Sequence, residues 1–318
     1  MTLRALHQKV WSESTRPFLF DLFRAYWILV KIMVPVLFLV KLLEYLGATD
    51  LLAQVLAPLM SLIGLPAEFG LVWAVSLLTN IYTAMVVFYE IGLGQGYSVA
   101  EISTLGILIL LGHAIPVEGA VSRMMHVSWG ITILTRVLGA YILGGLTMLS
   151  YHVFDIGQQQ ASLLWKPEAQ VDGLLNWGFA QLEMLAMIFL ILASLMLFMR
   201  FLRVIHFERL LTWLLQPLTR ALDVGKEAAN VTIIGLMLGL SFGAGLLVAE
   251  SRKGHISKRD IVVVVCFLGV CHSVIEDTLL IMLLGADIIP ILLGRLVFSV
   301  LMVAFLARTF YARQPTFD

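Results

Sequence analysis

The chain has 318 residues, of which 60% are hydrophobic and 13% charged, and its 21 basic and 21 acidic residues cancel. That composition lies outside the range of soluble globular domains and gives a nucleic-acid partner no electrostatic basis. Lipid is the expected solvent for most of the chain.

The first two dozen residues are mixed in character and carry Arg4, Lys9, Arg16 and Arg24. No small-residue cleavage site follows a short apolar core, so residues 1–24 are expected to stay on the chain as a cytoplasmic amphipathic segment. Long apolar runs then occupy residues 25–46, 67–91, 102–120, 126–150, 177–199, 228–249, 261–280 and 286–307. Each is about the length a helix needs to cross a hydrocarbon core about 30 Å thick. Segments 51–63 and 208–222 read as interfacial amphipathic helices. Glu68 and Glu227 fall at the starts of apolar runs, where a carboxylate favours the positive end of a helix dipole. Trp73, Trp165 and Trp177 read as interface anchors or packing. Met184, Met187, Met196 and Met199 read as facing lipid, and Cys266 and Cys271 as small buried hydrophobes.

An internal repeat organises these runs. Leu51, Leu52, Leu56, Pro58 and Leu59 match Leu210, Leu211, Leu215, Pro217 and Leu218 at a constant offset (217 − 58 = 159). The same offset pairs Ser98 with Ser257, Glu101 with Asp260, His113 with His272, Glu118 with Asp277 and Arg136 with Arg295. The expected organisation is a first repeat over 25–150, an external linker over 151–176 and a second repeat over 177–310.

Positive charge sets the expected topology. Arg200, Arg203, Arg209, Arg220 and Lys226 precede run 228–249, and Arg252, Lys253, Lys258 and Arg259 follow it, so both flanks belong in the cytoplasm. A single crossing would separate them; a re-entrant hairpin with Ser241 near its tip keeps them together. Run 67–91 is flanked by segments 47–66 and 92–100, which hold no Lys or Arg, and reads as an external hairpin with Thr79 and Asn80 at its tip. The expected fold is an all-α integral membrane protein of two inverted repeats, each with about three transmembrane helices and one re-entrant helical hairpin; eight full spans, with 67–91 and 228–249 each crossing, are the alternative. Both termini would be cytoplasmic, in the inner (plasma) membrane. Inverted repeats with broken helices are the architecture of secondary transporters, whose sites lie near the midplane.

Gly112-His113-Ala114-Ile115-Pro116-Val117-Glu118 in one half and Cys271-His272-Ser273-Val274-Ile275-Glu276-Asp277-Thr278 in the other follow the hairpins as interrupted helices. In this the chain resembles the nucleoside-recognition, or Gate-domain, membrane proteins. That superfamily includes concentrative nucleoside transporters, the membrane part of the ferrous-iron transporter and the spore maturation membrane proteins. The resemblance implies a solute pathway at the hairpin tips and interrupted helices, in a homo-oligomer, dimer or trimer. The chain departs from the iron transporter in having no GTP-binding P-loop.

Ionisable residues inside a membrane mark functional sites. His113 and His272 hold equivalent places and are expected to approach a common centre, with Pro116 bending the helix beside the first. Glu118 with Arg136 and Asp277 with Arg295 read as buried ion pairs pinning antiparallel neighbours. Glu276, whose counterpart is Val117, is the carboxylate expected to face the site. The substrate-binding candidates are therefore His113, His272, Glu276, Asn80, Thr79, Ser241, Glu118 and Asp277. His113, His272 and Glu276 could ligate Zn, Mn or Fe, or could carry coupling protons. No zinc-protease, nucleophile-elbow or phosphate-loop motif is present, so no enzyme and no cofactor are expected beyond a divalent metal or a coupling H⁺ or Na⁺. The partners expected are the lipid bilayer and a small molecule or ion. The expectation is a secondary-type permease for a small polar solute, nucleoside-like or otherwise organic, with a divalent-cation permease and a non-transporting spore-maturation type of assembly protein as alternatives.

Overall fold

A computed structural model describes residues 15–92, 96–163, 173–222, 224–238 and 256–311. Every regular element among the described residues is a helix. Six helical segments there are long and apolar enough to cross a membrane. The first is α1 (Thr15–Tyr45), followed by the shorter α2 (Ala48–Ser61). Two short helices come next, α3 (Phe69–Leu78) and α4 (Ile81–Gly92). The second candidate span, Val99–Met124, is broken into α5 (Val99–Gly112) and α6 (Ile115–Met124). The third, α7 (Trp129–Val153), contains a π-helical turn over Leu134–Leu138. After α8 (Leu174–Val204) come α9 (Phe207–Ala221) and α10 (Lys226–Leu238). A second broken span follows, α11 (Lys258–Val270) with α12 (Val274–Met282), and then α13 (Ile289–Thr309), which opens on another π-helical turn, Ile289–Gly294.

The expected N-terminal boundary at residue 24 falls inside a helix. Phe18, Leu19, Phe20, Leu22 and Phe23 continue the apolar character of the span, so α1 runs through Asp21 and Arg24 without a break. Six of the eight apolar runs give long segments among the described residues; run 67–91 divides, and run 228–249 is described only as far as Leu238. Neither α3 nor α4, at 10 and 12 residues, is long enough to cross alone. The chain turns back between them at Thr79–Asn80, and the rings of Phe69 and Phe88, from the far ends of the pair, lie 6.0 Å apart. The counterpart tip, with Ser241, lies outside the described residues, as do Trp165 and the basic pair Arg252 and Lys253.

Helices α5 and α11 form the centre. Past their first turns, from Ile102 and from Ile261, neither carries a charged residue, the pattern of a helix enclosed by other helices, and every residue there except Val262 is buried. Each starts on a serine cap. Ser98 Oγ accepts from Glu101 N at 3.2 Å while Glu101 Oε2 accepts from Ser98 N at 2.7 Å, and Ser257 Oγ accepts from Asp260 N at 3.1 Å. The outer helices α1 and α8 pack on each other, and there Met184 is buried at 2% exposure, contrary to its expected lipid-facing position. Its neighbours Gln181 and Ile188 are buried with it, one turn away on the same helix face. Trp73 belongs to the core, its indole donating to Leu108 O at 3.1 Å, and both cysteines are buried.

Close helix crossing at the centre rests on Gly106 of α5. A Cβ there would stand 2.5 Å from Ile281 Cγ2 on α12, and Ile281 is fully buried and stiff at χ1. Gly106→Ala is expected to cost about 1–3 kcal/mol, read as a lower apparent Tm in detergent. Gly178→Ala, on a face of α8 with nothing within 4 Å, is expected to leave Tm unchanged or raise it.

Candidate functional site

Where a helix stops inside the protein, its last carbonyls lose their intrahelical donors and must find others. Helix α5 ends at Gly112; His113 is extended (φ −67°, ψ 160°), and Ala114 adopts the left-handed conformation at φ 52°. Helix α11 ends at Val270, and Ser273, at the position equivalent to Ala114, is left-handed at φ 44°. Pro116 lies in the first turn of α6, beyond the break, where proline is tolerated. Its counterpart Ile275 sits beside a break of the same kind, so proline is not what interrupts these helices.

Two arginines from the following spans satisfy the freed carbonyls. Arg136, in the π-helical turn of α7, donates from Nε to Leu111 O at 2.9 Å and from Nη2 to His113 O at 2.5 Å. Arg295, at the end of the π-helical turn of α13, donates from Nε to Val270 O at 3.1 Å and from Nη2 to His272 O at 2.9 Å. Both side chains are almost wholly buried. The two sets of contacts correspond residue for residue at the 159-residue offset.

The histidines follow the same pattern. His113 Nδ1 lies 3.0 Å from Ile109 O, and His272 Nδ1 lies 2.7 Å from Leu268 O. A carbonyl only accepts, so each Nδ1 carries the hydrogen and each Nε2 of a neutral ring keeps its lone pair. The rings meet with centroids 5.1 Å apart, and both Nε2 atoms converge on Glu118 Oε1, at 3.4 Å from His113 and 3.1 Å from His272. The other oxygen of that carboxylate, Oε2, pairs with Arg136 Nη1. In the second half the carboxylate is looser: Asp277 Oδ2 is 3.9 Å from Arg295 Nη2 and 4.0 Å from His272 Nε2.

Three other expected site residues stand apart from this centre. Glu276 Oε1 accepts from Tyr82 OH, on α4, at 3.1 Å, so this carboxylate is tied to the α3–α4 pair instead of meeting the histidines. Thr79 Oγ1 donates to Val75 O at 2.7 Å, and Asn80 Oδ1 accepts from Thr83 N and Oγ1 at 2.9 and 3.1 Å, so both cap their own helices. Ser241 lies outside the described residues. Sequence reasoning missed Tyr82 as the partner of Glu276. It also missed Glu90, which accepts from Trp177 Nε1 at 2.8 Å and from Gln181 Nε2 at 3.0 Å. A carboxylate in an otherwise apolar run was the signal for Glu90; Tyr82 gave none. Outside the spans, burial and then the carboxylates of Glu68 and Glu101 push the Tyr97 phenol above its ordinary range, so it remains a donor to Glu68 at 3.3 Å.

Residues 26–126 match the model of the Gate family, described as nucleoside recognition. The match takes in His113 and Glu118 and ends before Arg136. The uncharacterized membrane protein YvoD of Bacillus subtilis (strain 168) is 27% identical over 301 residues, spanning 92% of this chain and 94% of that protein. No solved structure matches the chain.

The two arginines are not equal in what they hold. Arg136→Met removes the two donors to Leu111 O and His113 O and the direct partner of Glu118, and is expected to cost about 3–5 kcal/mol. Arg295→Met removes the two donors to Val270 O and His272 O and the neighbour of a more distant carboxylate, and should cost less. Denaturant titration in detergent reads both, and Glu118→Gln combined with Arg136→Met should cost less than the sum of the single changes.

Proposed function

We propose that this Gate-domain membrane protein is a secondary-type permease of the plasma (inner) membrane, with inverted halves and cytoplasmic termini, that conducts a small cation and performs no enzymatic chemistry. The observation that carries this reading is the meeting of two broken helices in mid-span with His113 Nε2, His272 Nε2 and Glu118 Oε1 facing one another. Irregular backbone and ionisable groups at such depth are the hallmarks of a transport site.

Inversion is supported by charge. The segments flanking α3 and α4 carry no Lys or Arg, whereas those flanking run 228–249 are rich in both. The fold-back at Thr79–Asn80 lets α3 and α4 enter and leave on one side, as a re-entrant hairpin does. A cation is favoured over a nucleoside-like solute by where the polar groups point. The hydroxyls of Thr79 and Ser76 and the amide oxygen of Asn80 bond to nearby helix backbone and side chain, which leaves fewer groups for a hydroxylated or amide-bearing molecule. What converges at the centre is a set of lone pairs, which attracts positive charge.

Two measurements test this. Cysteines placed at Leu62 and Gly96, both exposed, are expected to react with an impermeant maleimide from the same face of the membrane; labelling from opposite faces would make 67–91 a crossing. In proteoliposomes, wild-type protein is expected to admit divalent cations to an encapsulated fluorophore and to leave radiolabelled uridine outside. Uridine entry without cation entry would transfer the site to an organic solute, and entry of neither would end the permease reading in favour of an assembly role.

A further inference from the structure

The centre of the protein holds more ligand atoms than the two histidines and one carboxylate oxygen already described. Donor atoms of His113, His272 and Asp277 lie within 4.8 Å of one another, and all three side chains are buried. Asp277 Oδ2 is buried and has no hydrogen-bond partner. Glu118 Oε1 is within 3.4 Å of both Nε2 atoms. The two histidine nitrogens, whose lone pairs are free in the neutral rings, thus face a carboxylate oxygen of Glu118 and one of Asp277, and acceptors confronting acceptors need a positive charge between them.

We infer that His113, His272, Glu118 and Asp277 form a four-ligand site for a divalent first-row transition-metal ion, a reading that rests on the cation permease proposed above and names its substrate class. Donor atoms bound at about 2 Å around a tetrahedral centre stand about 3.3 Å apart, which is the separation of Glu118 Oε1 from the two imidazoles. Asp277, 4.0 Å from His272 Nε2, closes the set by a small inward movement. The outer contacts are those that orient metal ligands. Each imidazole is fixed through Nδ1 by a backbone carbonyl, and Glu118 is fixed through Oε2 by Arg136, leaving Oε1 for the ion. Two imidazoles among four ligands select Zn²⁺, Co²⁺ or Fe²⁺ over Mg²⁺ and Ca²⁺, which prefer oxygen alone.

Charge sets the strength of binding. Glu118 and Asp277 are balanced by Arg136 and Arg295 before any ion arrives, so a divalent ion adds uncompensated positive charge to a buried place. That keeps the site from becoming a trap, and conduction requires an ion that can leave as well as enter.

The test titrates purified full-length protein in detergent with Co²⁺, followed by its visible absorption and by calorimetry, with Mg²⁺ as the comparison. Wild type is expected to bind one Co²⁺ per chain with a d–d band of tetrahedral intensity and to ignore Mg²⁺. Asp277→Asn and His272→Ala are expected to weaken binding by at least tenfold while eluting and melting as folded protein, and Asp277→Glu to retain the band. Glu276→Gln is expected to keep one ion per chain. Wild type that binds no Co²⁺ overturns the inference, since a proton at the facing lone pairs would then suffice. Equal affinity in wild type, Asp277→Asn and His272→Ala overturns it as well. Binding with these side-chain dependences but no flux in proteoliposomes upholds the site and removes the permease reading; flux of another solute without Co²⁺ binding does the reverse.

Discussion

An interrupted helix surrounded by apolar protein and lipid has carbonyl groups that no water will satisfy, and this protein answers that demand with arginine. The guanidinium is a planar fork, and its Nε and Nη2 reach carbonyls two residues apart, Leu111 with His113 and Val270 with His272. A lysine could place a charge there but not two parallel donors of fixed spacing. The positive charge also faces the negative end of the half-helix it caps. Each arginine in turn requires a carboxylate close by, and each carboxylate sits in the first turn of the next half-helix, at its positive end. Broken helix, arginine and carboxylate are therefore one unit, built twice. The histidines lie between the two units because each sits in the break itself, one residue past Gly112 and two past Val270.

The two units differ by one methylene, and the difference shows in their geometry. Glu118 is long enough to pair with Arg136 through one oxygen and to reach both imidazoles with the other. Asp277, shorter, reaches neither Arg295 nor His272 within hydrogen-bond distance. The first half thus supplies the tightly held side of the centre and the second a carboxylate with longer contacts. Tyr82 draws Glu276 toward the α3–α4 pair, which separates two adjacent carboxylates and prevents both from crowding the same point.

Much of this was legible in the sequence, because lipid makes polar residues informative. Charged residues seldom coincide at a fixed offset in apolar sequence by chance, and the pairing of His113 with His272 and of Arg136 with Arg295 points to the centre. The division of run 67–91 followed from the absence of basic residues on its flanks. What the sequence concealed were choices made by side-chain reach and rotamer. Nothing in the order Glu276-Asp277 says which carboxylate turns inward; that depends on Tyr82, 194 residues away. Pro116 pointed to a break but not to its cause, since the second half breaks without one. The hydroxyl of Thr79 and the amide oxygen of Asn80 looked available for a ligand and are instead engaged in helix capping, which composition cannot distinguish from binding.

The breaks carry a cost that the arginines offset. Ala114 and Ser273 in the left-handed region store of order 1–3 kcal/mol each, and hydrogen bonds to a charged donor contribute about 1.5–3 kcal/mol each, so two per arginine suffice to hold one strained residue in place. The same bonds decide what a cation can meet at the centre. In a broken helix the exposed carbonyl oxygens are ordinarily the ligands for an ion, but here the arginines occupy Leu111 O, His113 O, Val270 O and His272 O. Ile109 O and Leu268 O are occupied by the imidazoles themselves. With those six backbone oxygens engaged, what His113, His272, Glu118 and Asp277 offer to positive charge between the half-helices is side-chain lone pairs. A carbonyl cage would suit hard alkali or alkaline-earth ions; imidazole nitrogen and carboxylate oxygen suit a transition metal. The chemistry of the centre is thus set by the arginines that make the interruption stable as much as by the histidines exposed at it.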